Sequence, residues 1–369
     1  MSVTADHTPA GIEACDCLTP FGNAKATVAA LLADRRALQL HPVLGADGGD
    51  PVPLALCRPM DEGVPPRWLP DLRRLVAAIP ADAWGTSRRP VIVTSSNFGV
   101  GSLYAHTRDQ DPRHLRHGTP FACVEMLQRE FSWGEHVQIF SHACVSAHLG
   151  LAQAGRLLHA GLADRVLVFS FDFVSPFVAG GFHSLKILNA GLPAPYAVRD
   201  TGSIGLGDGA AYAVLTLAPA PFRLEAHALH NEMHHFTGNQ PDGGGFAVCS
   251  DAVATAARGR HVWVKGHGTG TLEAGRLEAE AFARALPGAP LVSWKGSLGH
   301  TLGSCGLVEL ALTLESVRAG RTPGTVGSTA PFCTDTVAPA AFANAGYQGV
   351  VLTSNAFGGA HAAMLLGYD

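Results

Sequence analysis

The residues best suited to chemistry are one cysteine and two histidines, far apart in the chain. Cys144 lies in Ser141-His142-Ala143-Cys144-Val145-Ser146-Ala147, between an apolar run read as a strand and a segment with helical spacing. A free thiol with a pKa of about 8.5 is only about 3% thiolate at pH 7. Helix N-terminal N–H groups favour the anion, and lowering the pKa by about 1.5 units would ionise about half of the thiol. The competing reading is a small buried cysteine used for packing. His267 lies in Lys265-Gly266-His267-Gly268-Thr269-Gly270-Thr271, and His300 in Lys295-Gly296-Ser297-Leu298-Gly299-His300-Thr301-Leu302-Gly303-Ser304. Both follow apolar runs directly. Flanking glycines let backbone approach a ligand and leave the imidazole at a loop tip. A strand-end cysteine with two strand-end histidines is a set that can activate a thiolate and polarise a carbonyl. Zinc is the other claimant on such residues, but neither C-x-x-C nor H-E-x-x-H spacing accompanies them.

Those loop tips need strands behind them. Short continuous apolar runs at Pro90–Thr94, Val137–Ser141, Arg165–Phe171, Ala210–Leu217, His261–Lys265, Leu291–Trp294, Gly349–Ser354 and Ala362–Gly367 read as strands buried on both faces. Between them lie helical patterns, such as Val145, Leu149, Ala152, Leu158 and Leu162, or Leu307, Leu310, Ala311 and Leu314. Strands alternating with helices predict an α/β fold with a largely parallel sheet. The pattern also repeats weakly. Val137–Ser141, a tight turn, a helix ending at His159-Ala160-Gly161 and a strand make one series; Leu291–Trp294, a turn, a helix ending at Arg318-Ala319-Gly320 and a strand make another. The reading is two similar halves packed face to face, residues 1–218 with the cysteine and 219–369 with both histidines, and no linker between them.

Composition bounds the function. The chain has 369 residues, 47% hydrophobic and 15% charged, with a net charge of −4. That composition excludes disorder and lacks the basic excess of a nucleic-acid binder. Gly (43) and Pro (24) are abundant without a period, which points to many tight turns. The N-terminus has no positive start followed by an apolar core, so no leader is expected there. The least charged stretch, near Gly346 to Gly367, is broken by polar residues and glycines, so no membrane span is expected. Eight cysteines without framework spacing read as reduced thiols of a cytoplasmic protein. The lone Cys15-x-Cys17 is not expected to hold zinc.

The motifs and their order resemble the β-ketoacyl-acyl carrier protein synthases of the Cys-His-His type. Leu18-Thr19-Pro20-Phe21-Gly22 is similar to the family's opening turn, and Ala143-Cys144-Val145-Ser146 to its nucleophile elbow. Gly181-Phe182 with Leu185-Lys186 and Asp200 with Gly207-Asp208-Gly209-Ala210 fit the segments between, and Pro241-Asp242-Gly243 fits a substrate-channel loop. His267 through Thr271, Lys295 through Gly306 with Glu309, and Phe357-Gly358-Gly359 complete the series.

The resemblance implies a thiolase-like fold, two α/β halves in a five-layered αβαβα sandwich. It implies that Cys144 takes an acyl group from a carrier protein's phosphopantetheine, with the backbone N–H groups of Cys144 and Phe357 as oxyanion hole. It implies that His267 and His300, as neutral N–H donors, hold a malonyl thioester while carbon dioxide leaves. Lys295, paired with Glu309, would orient them; Thr269 and Thr271 would bind the pantetheine arm, beside a gating turn at Phe357-Gly358. Two histidines, rather than His and Asn, match the elongating type. No metal or other cofactor is implied. The implied partners are the acyl carrier protein and a second, identical or related ketosynthase-like subunit.

Two other readings fit the same resemblance. One is a non-elongating partner subunit like a chain-length factor; the other is a plain acyltransferase. The chain also departs from the family. It is short, has Gly275 where an Asp is usual, and has Asn355, Ala360 and His361 where an aromatic and Thr-Asn are usual. Glu125, Gln128, Arg129 and Glu130 in Pro120–Trp133 are read as a solvated helix face. His234-His235 are read as loop hydrogen bonding and Cys305 as packing. The Arg pairs 35–36, 73–74 and 88–89 are read as surface charge, one of them open to an acidic carrier protein.

Overall fold

The structure, a computed structural model, describes residues 8–42, 51–60, 62–235 and 237–368; the N-terminal heptapeptide read above as carrying no leader lies outside them. Ten strands form one sheet: β1 (Ala10–Leu18), β2 (Val91–Thr94), β3 (Val137–Phe140), β4 (Arg165–Asp172), β5 (Gly209–Thr216), β6 (Phe222–Asn231), β7 (Val262–Lys265), β8 (Leu291–Val292), β9 (Gly349–Ala356) and β10 (Ala360–Tyr368). Their spatial order is β8-β7-β9-β10-β6-β1-β5-β4-β2-β3. The first five strands therefore run 3-2-4-5-1 outward to inward, and the last five repeat that order. Pairing repeats as well. β2 lies parallel to β3 and β4, β7 parallel to β8 and β9, and the remaining contacts are antiparallel.

Six helices recur with the strands: α1 (Leu69–Val76), α2 (Pro120–Phe131), α3 (Ser146–His159), α4 (Gly244–Ala257), α5 (Leu272–Ala285) and α6 (Cys305–Arg318). Leu72, Leu75, Val124 and Leu127 of α1 and α2 cover Val91, Val93, Leu167 and Phe169 on one outer face. On the other, Cys249, Val253 and Phe282 of α4 and α5 cover Val264, Val351 and Leu365. α3 and α6 fill the space between. Their Leu151, Leu158, Leu307, Leu310 and Leu314 pack against Ile92, Val168 and Leu215 of one half and Leu352 and Met364 of the other. Nearly every residue of α6 is buried, as a helix that is apolar all round requires. Each such leucine contributes about 1.5–3 kcal/mol by leaving water. The result is the αβαβα layering of a thiolase-like fold.

All eight runs read as strands are strands. Of the ten strands of this sheet, the two missed are β1 and β6, which pair at Ala10–Leu224 and Gly11–Arg223 and so join the halves. They carry Glu13, Asp16, Arg223, Glu225 and His227 among their apolar residues, which hides the pattern a buried strand should show. α3 and α6 approach closely at Gly306, where an added Cβ would lie 2.4 Å from His148 Nδ1. No helix among the described residues is long and apolar enough to cross a membrane.

The charged face of α2 is solvated. Glu125 pairs with Arg129 at 3.4 Å, and Glu130 with Arg73 at 2.6 Å. Arg74, Arg88 and Arg89 are likewise matched to Asp71, Asp164 and Asp82. His235 Nδ1 accepts from the N–H groups of Thr237 and Gly238, the loop role read for it.

Candidate active site

Three loops at the strand ends meet. Cys144 follows β3 and precedes α3; His300 follows β8 and precedes α6, the same position in the second half. The elbow at Cys144 depends on Ala143, whose φ of 45° is in the left-handed region that few non-glycine residues adopt. Ser146 Oγ pins it, accepting from the His142 N–H at 2.7 Å and donating to the Ala143 carbonyl at 2.7 Å.

His300 Nε2 lies 2.9 Å from Cys144 Sγ. The His267 ring stands edge-on to that of His300, centroids 4.9 Å apart at 87°. One donor atom from each of the three residues lies within 4.8 Å of the others. The His300 tautomer follows from its neighbours. Leu302 N–H donates to Nδ1 at 3.2 Å, so Nδ1 is the acceptor and Nε2 carries the hydrogen, pointed at the sulfur. Burial first, then Lys295, holds both imidazoles well below the ordinary histidine range. They are neutral N–H donors.

The thiol corrects one expectation. A helix N-terminus was expected to lower its pKa, but burial, reinforced by Cys305, pushes it up, and Lys295 only partly opposes this. Desolvation outweighs the helix end. The resting sulfur is therefore a thiol, not an anion.

Behind the histidines lies a buried charged cluster. Glu309 Oε1 accepts from Lys295 Nζ at 2.5 Å and lies 2.9 Å from Lys265 Nζ. Burial opposes the Lys295 ammonium, but Glu309 and Cys305 outweigh it and raise its pKa. Lys265 is pulled down by burial to about 8. Cys305 is wholly buried, its Sγ 3.4 Å from the Cys144 carbonyl, in the packing role read for it.

Glu278 organises the His267 loop. Its carboxylate accepts from the N–H groups of His267 (2.8 Å) and Gly268 (2.9 Å), Tyr196 Oη (2.8 Å), Thr353 Oγ1 (2.6 Å) and Asn355 Nδ2 (3.0 Å). Sequence reading missed it. The available signal was its place on the buried face of α5 with Gly275, Ala279 and Phe282, where a carboxylate needs a task. Gly275 lies beside Tyr196, whose ring a Cβ there would meet at 3.8 Å. Asp172 was missed as well. It accepts from Ser95 Oγ and the N–H groups of Asn97 and Ser304, tying the loop after β2 to the turn into α6; burial, against these bonds, raises it to about 6.

A cavity of about 230 Å³ leads to Cys144, His267 and His300, lined further by Thr269, Thr271, Phe182, Asn355 and Phe357. Thr269 and Thr271 face each other with hydroxyls 3.2 Å apart. Phe357 is 40% exposed and stacks on Phe182 at 6.1 Å, with Gly358 at the tip of the turn between β9 and β10. The loop expected at Pro241-Asp242-Gly243 contributes Thr237, Gly238 and Asn239 to the wall instead.

Residues 223–329 match the family model for the beta-ketoacyl synthase C-terminal domain. The ketoacyl synthase alpha subunit of the tetracenomycin polyketide synthase from Streptomyces glaucescens is 29% identical over 228 residues, 55% of this chain and 54% of that one. The chain is similar in sequence to β-ketoacyl synthases. It spans about half the length of that relative in the match. Among solved structures, a ketosynthase in complex with its chain length factor from Xenorhabdus doucetiae superposes with a TM-score of 0.77 at 19% identity, covering 100% of both chains. A type II polyketide acyl-carrier protein in complex with its ketosynthase gives 0.81 at 14%, covering 98% and 99%. These two show the shared fold.

Proposed function

We propose that this chain is an elongating ketosynthase, extending an acyl thioester on Cys144 by decarboxylative condensation with a malonyl thioester. The observation that carries this is the pair of neutral imidazoles, one donating Nε2–H toward a sulfur 2.9 Å away, at a cavity of about 230 Å³. In the first half-reaction the bond from Cys144 sulfur to the acyl carbon forms and the bond to the carrier thiol breaks. The thiol proton ends on the departing carrier sulfur. The N–H groups of Cys144 and Phe357 receive the developing oxyanion, each such donor contributing about 2.7–4 kcal/mol.

In the second half-reaction the malonyl C–C bond breaks, carbon dioxide leaves, and the electron pair becomes an enolate whose oxygen His267 and His300 hold. Its carbon attacks the Cys144 thioester, and the released sulfur recovers a proton from solvent. Lys295 acts as a positioning residue through Glu309. Thr269 and Thr271 hold the arm, and no metal is needed by any of these residues.

The partners in this reading are an acyl carrier protein and a second ketosynthase-like subunit, paired through β3, in the cytoplasm. Incubating the chain with acyl-loaded and malonyl-loaded carrier proteins tests it. The expected product is a β-ketoacyl carrier protein two carbons longer, with one carbon dioxide per product. An acylated Cys144 that never consumes malonyl thioester would leave a plain acyltransferase; no acylation with any primer would leave the partner-subunit role.

A further inference from the structure

The turn bearing Phe357 is tied down by side chains that the condensation chemistry does not use. Asn355 is oriented by Glu278, to which its Nδ2 donates at 3.0 Å, so its Oδ1 faces His361 Nδ1 at 2.8 Å. An amide oxygen accepts, so His361 Nδ1 carries a hydrogen. On the other side of the ring, His361 Nε2 lies 3.3 Å from Glu232 Oε2, and neither side chain has any solvent exposure. Glu232 also bridges the turn after Phe357 and the loop before α4. Its backbone N–H donates to the Gly359 carbonyl at 2.9 Å, and its Oε1 accepts from the Gln240 N–H at 3.0 Å. The packing leaves no slack. Phe246 meets the His361 ring edge-on at 4.6 Å, and a Cβ on Gly245 would lie 2.3 Å from Glu232 Oε2 and 2.4 Å from His361 Nε2.

We propose that Glu232, His361 and Asn355 are positioning residues, a buried clamp that holds the Phe357 turn over Cys144 while one proton lies between Glu232 and His361. With that proton present, the contact is a buried ion pair across 3.3 Å. Without it, a nitrogen lone pair faces a carboxylate in a dry site, and the turn loses one of its two ties to Glu232. The titratable groups facing His361 are Glu232, just past the end of β6, His230 from β6 and Glu278 from α5; α4 offers Phe246 and Gly245. Burial lowers His361 below its ordinary range, so the proton is lost, and the turn loosens, as pH rises.

This deepens the ketosynthase reading by naming what holds its gate, but its test needs no turnover. The alkylation rate of Cys144 by iodoacetamide is read from the mass of its peptide between pH 5.5 and 9. Glu232→Gln keeps the shape and donates an amide hydrogen to His361 Nε2 without a shared proton. The rate ratio of wild type to Glu232→Gln cancels the thiol's own titration, and it is expected to rise at least fivefold across that range. His361→Leu is expected to label at least fivefold faster than wild type at the acid end, and His361→Gln to return most of the way. A ratio constant within twofold overturns the clamp, as does a folded His361→Leu that labels like wild type. If His361→Leu does not fold, the Glu232→Gln ratio decides. Failure of the clamp would leave the condensation assay untouched, and failure of condensation would leave these labelling rates interpretable.

Discussion

The two imidazoles do different work from the sulfur, and a single substitution should separate them. His300 is neutral with its hydrogen on Nε2, so in the proposed condensation its task is to donate to the enolate oxygen rather than to remove the thiol proton. His300→Ala is therefore expected to keep acylation of Cys144 while carbon dioxide release from malonyl carrier protein falls about 10²–10³-fold. Release within a few-fold of wild type would show that the donor is elsewhere. Because burial raises the thiol, acylation should climb with pH through neutrality and beyond, with no plateau near 7. Cys144, His267 and His300 were legible in the sequence because glycines and strand ends mark them. Glu278, Asp172, Lys265 and Glu232 were not, since a carboxylate or ammonium reads as surface until the partners that bury it are known.

At the scale of elements, the reacting groups are held by two helices that touch. α3 begins just after Cys144 and α6 shortly after His300, and His148 meets Gly306 where they approach. Gly306→Leu has no room there. Overpacking of this kind costs about 1–3 kcal/mol, and thermal unfolding should show the loss alongside reduced condensation. His148 itself sets an acid limit. Burial lowers it to about 4, whereas the unfolded residue titrates near 6.5. Between those values the unfolded chain binds the extra proton. Stability therefore rises with pH across that window and is lost as pH falls through it, by about 1.4 kcal/mol per unit for one proton. His117, also lowered to about 4 by burial, adds in the same direction. Denaturant midpoints from pH 7 to 4 should fall steeply, and His148→Leu should reduce the slope by about one proton.

Across the whole molecule, the two halves place equivalent loops at one end of the sheet, which is why distant residues 144, 267 and 300 converge. A repeated helix-strand series is visible in the sequence. The seam did not show, because β1 and β6 mix charged residues into strands that lie mid-sheet. β3 ends the sheet as an edge with half-buried Val137, Ile139 and Phe140, and an open apolar edge invites a partner strand. Sedimentation velocity is expected to give about twice the chain mass of 38.4 kDa, or a stable complex with a related subunit; a lone monomer at micromolar concentration would contradict pairing through β3.

The most direct measurement is the intact mass of the protein after exposure to acyl-loaded carrier protein. Wild type should gain one acyl group, located at Cys144, and Cys144→Ala none. A gain on the alanine variant, or an adduct on any other cysteine, would contradict the account.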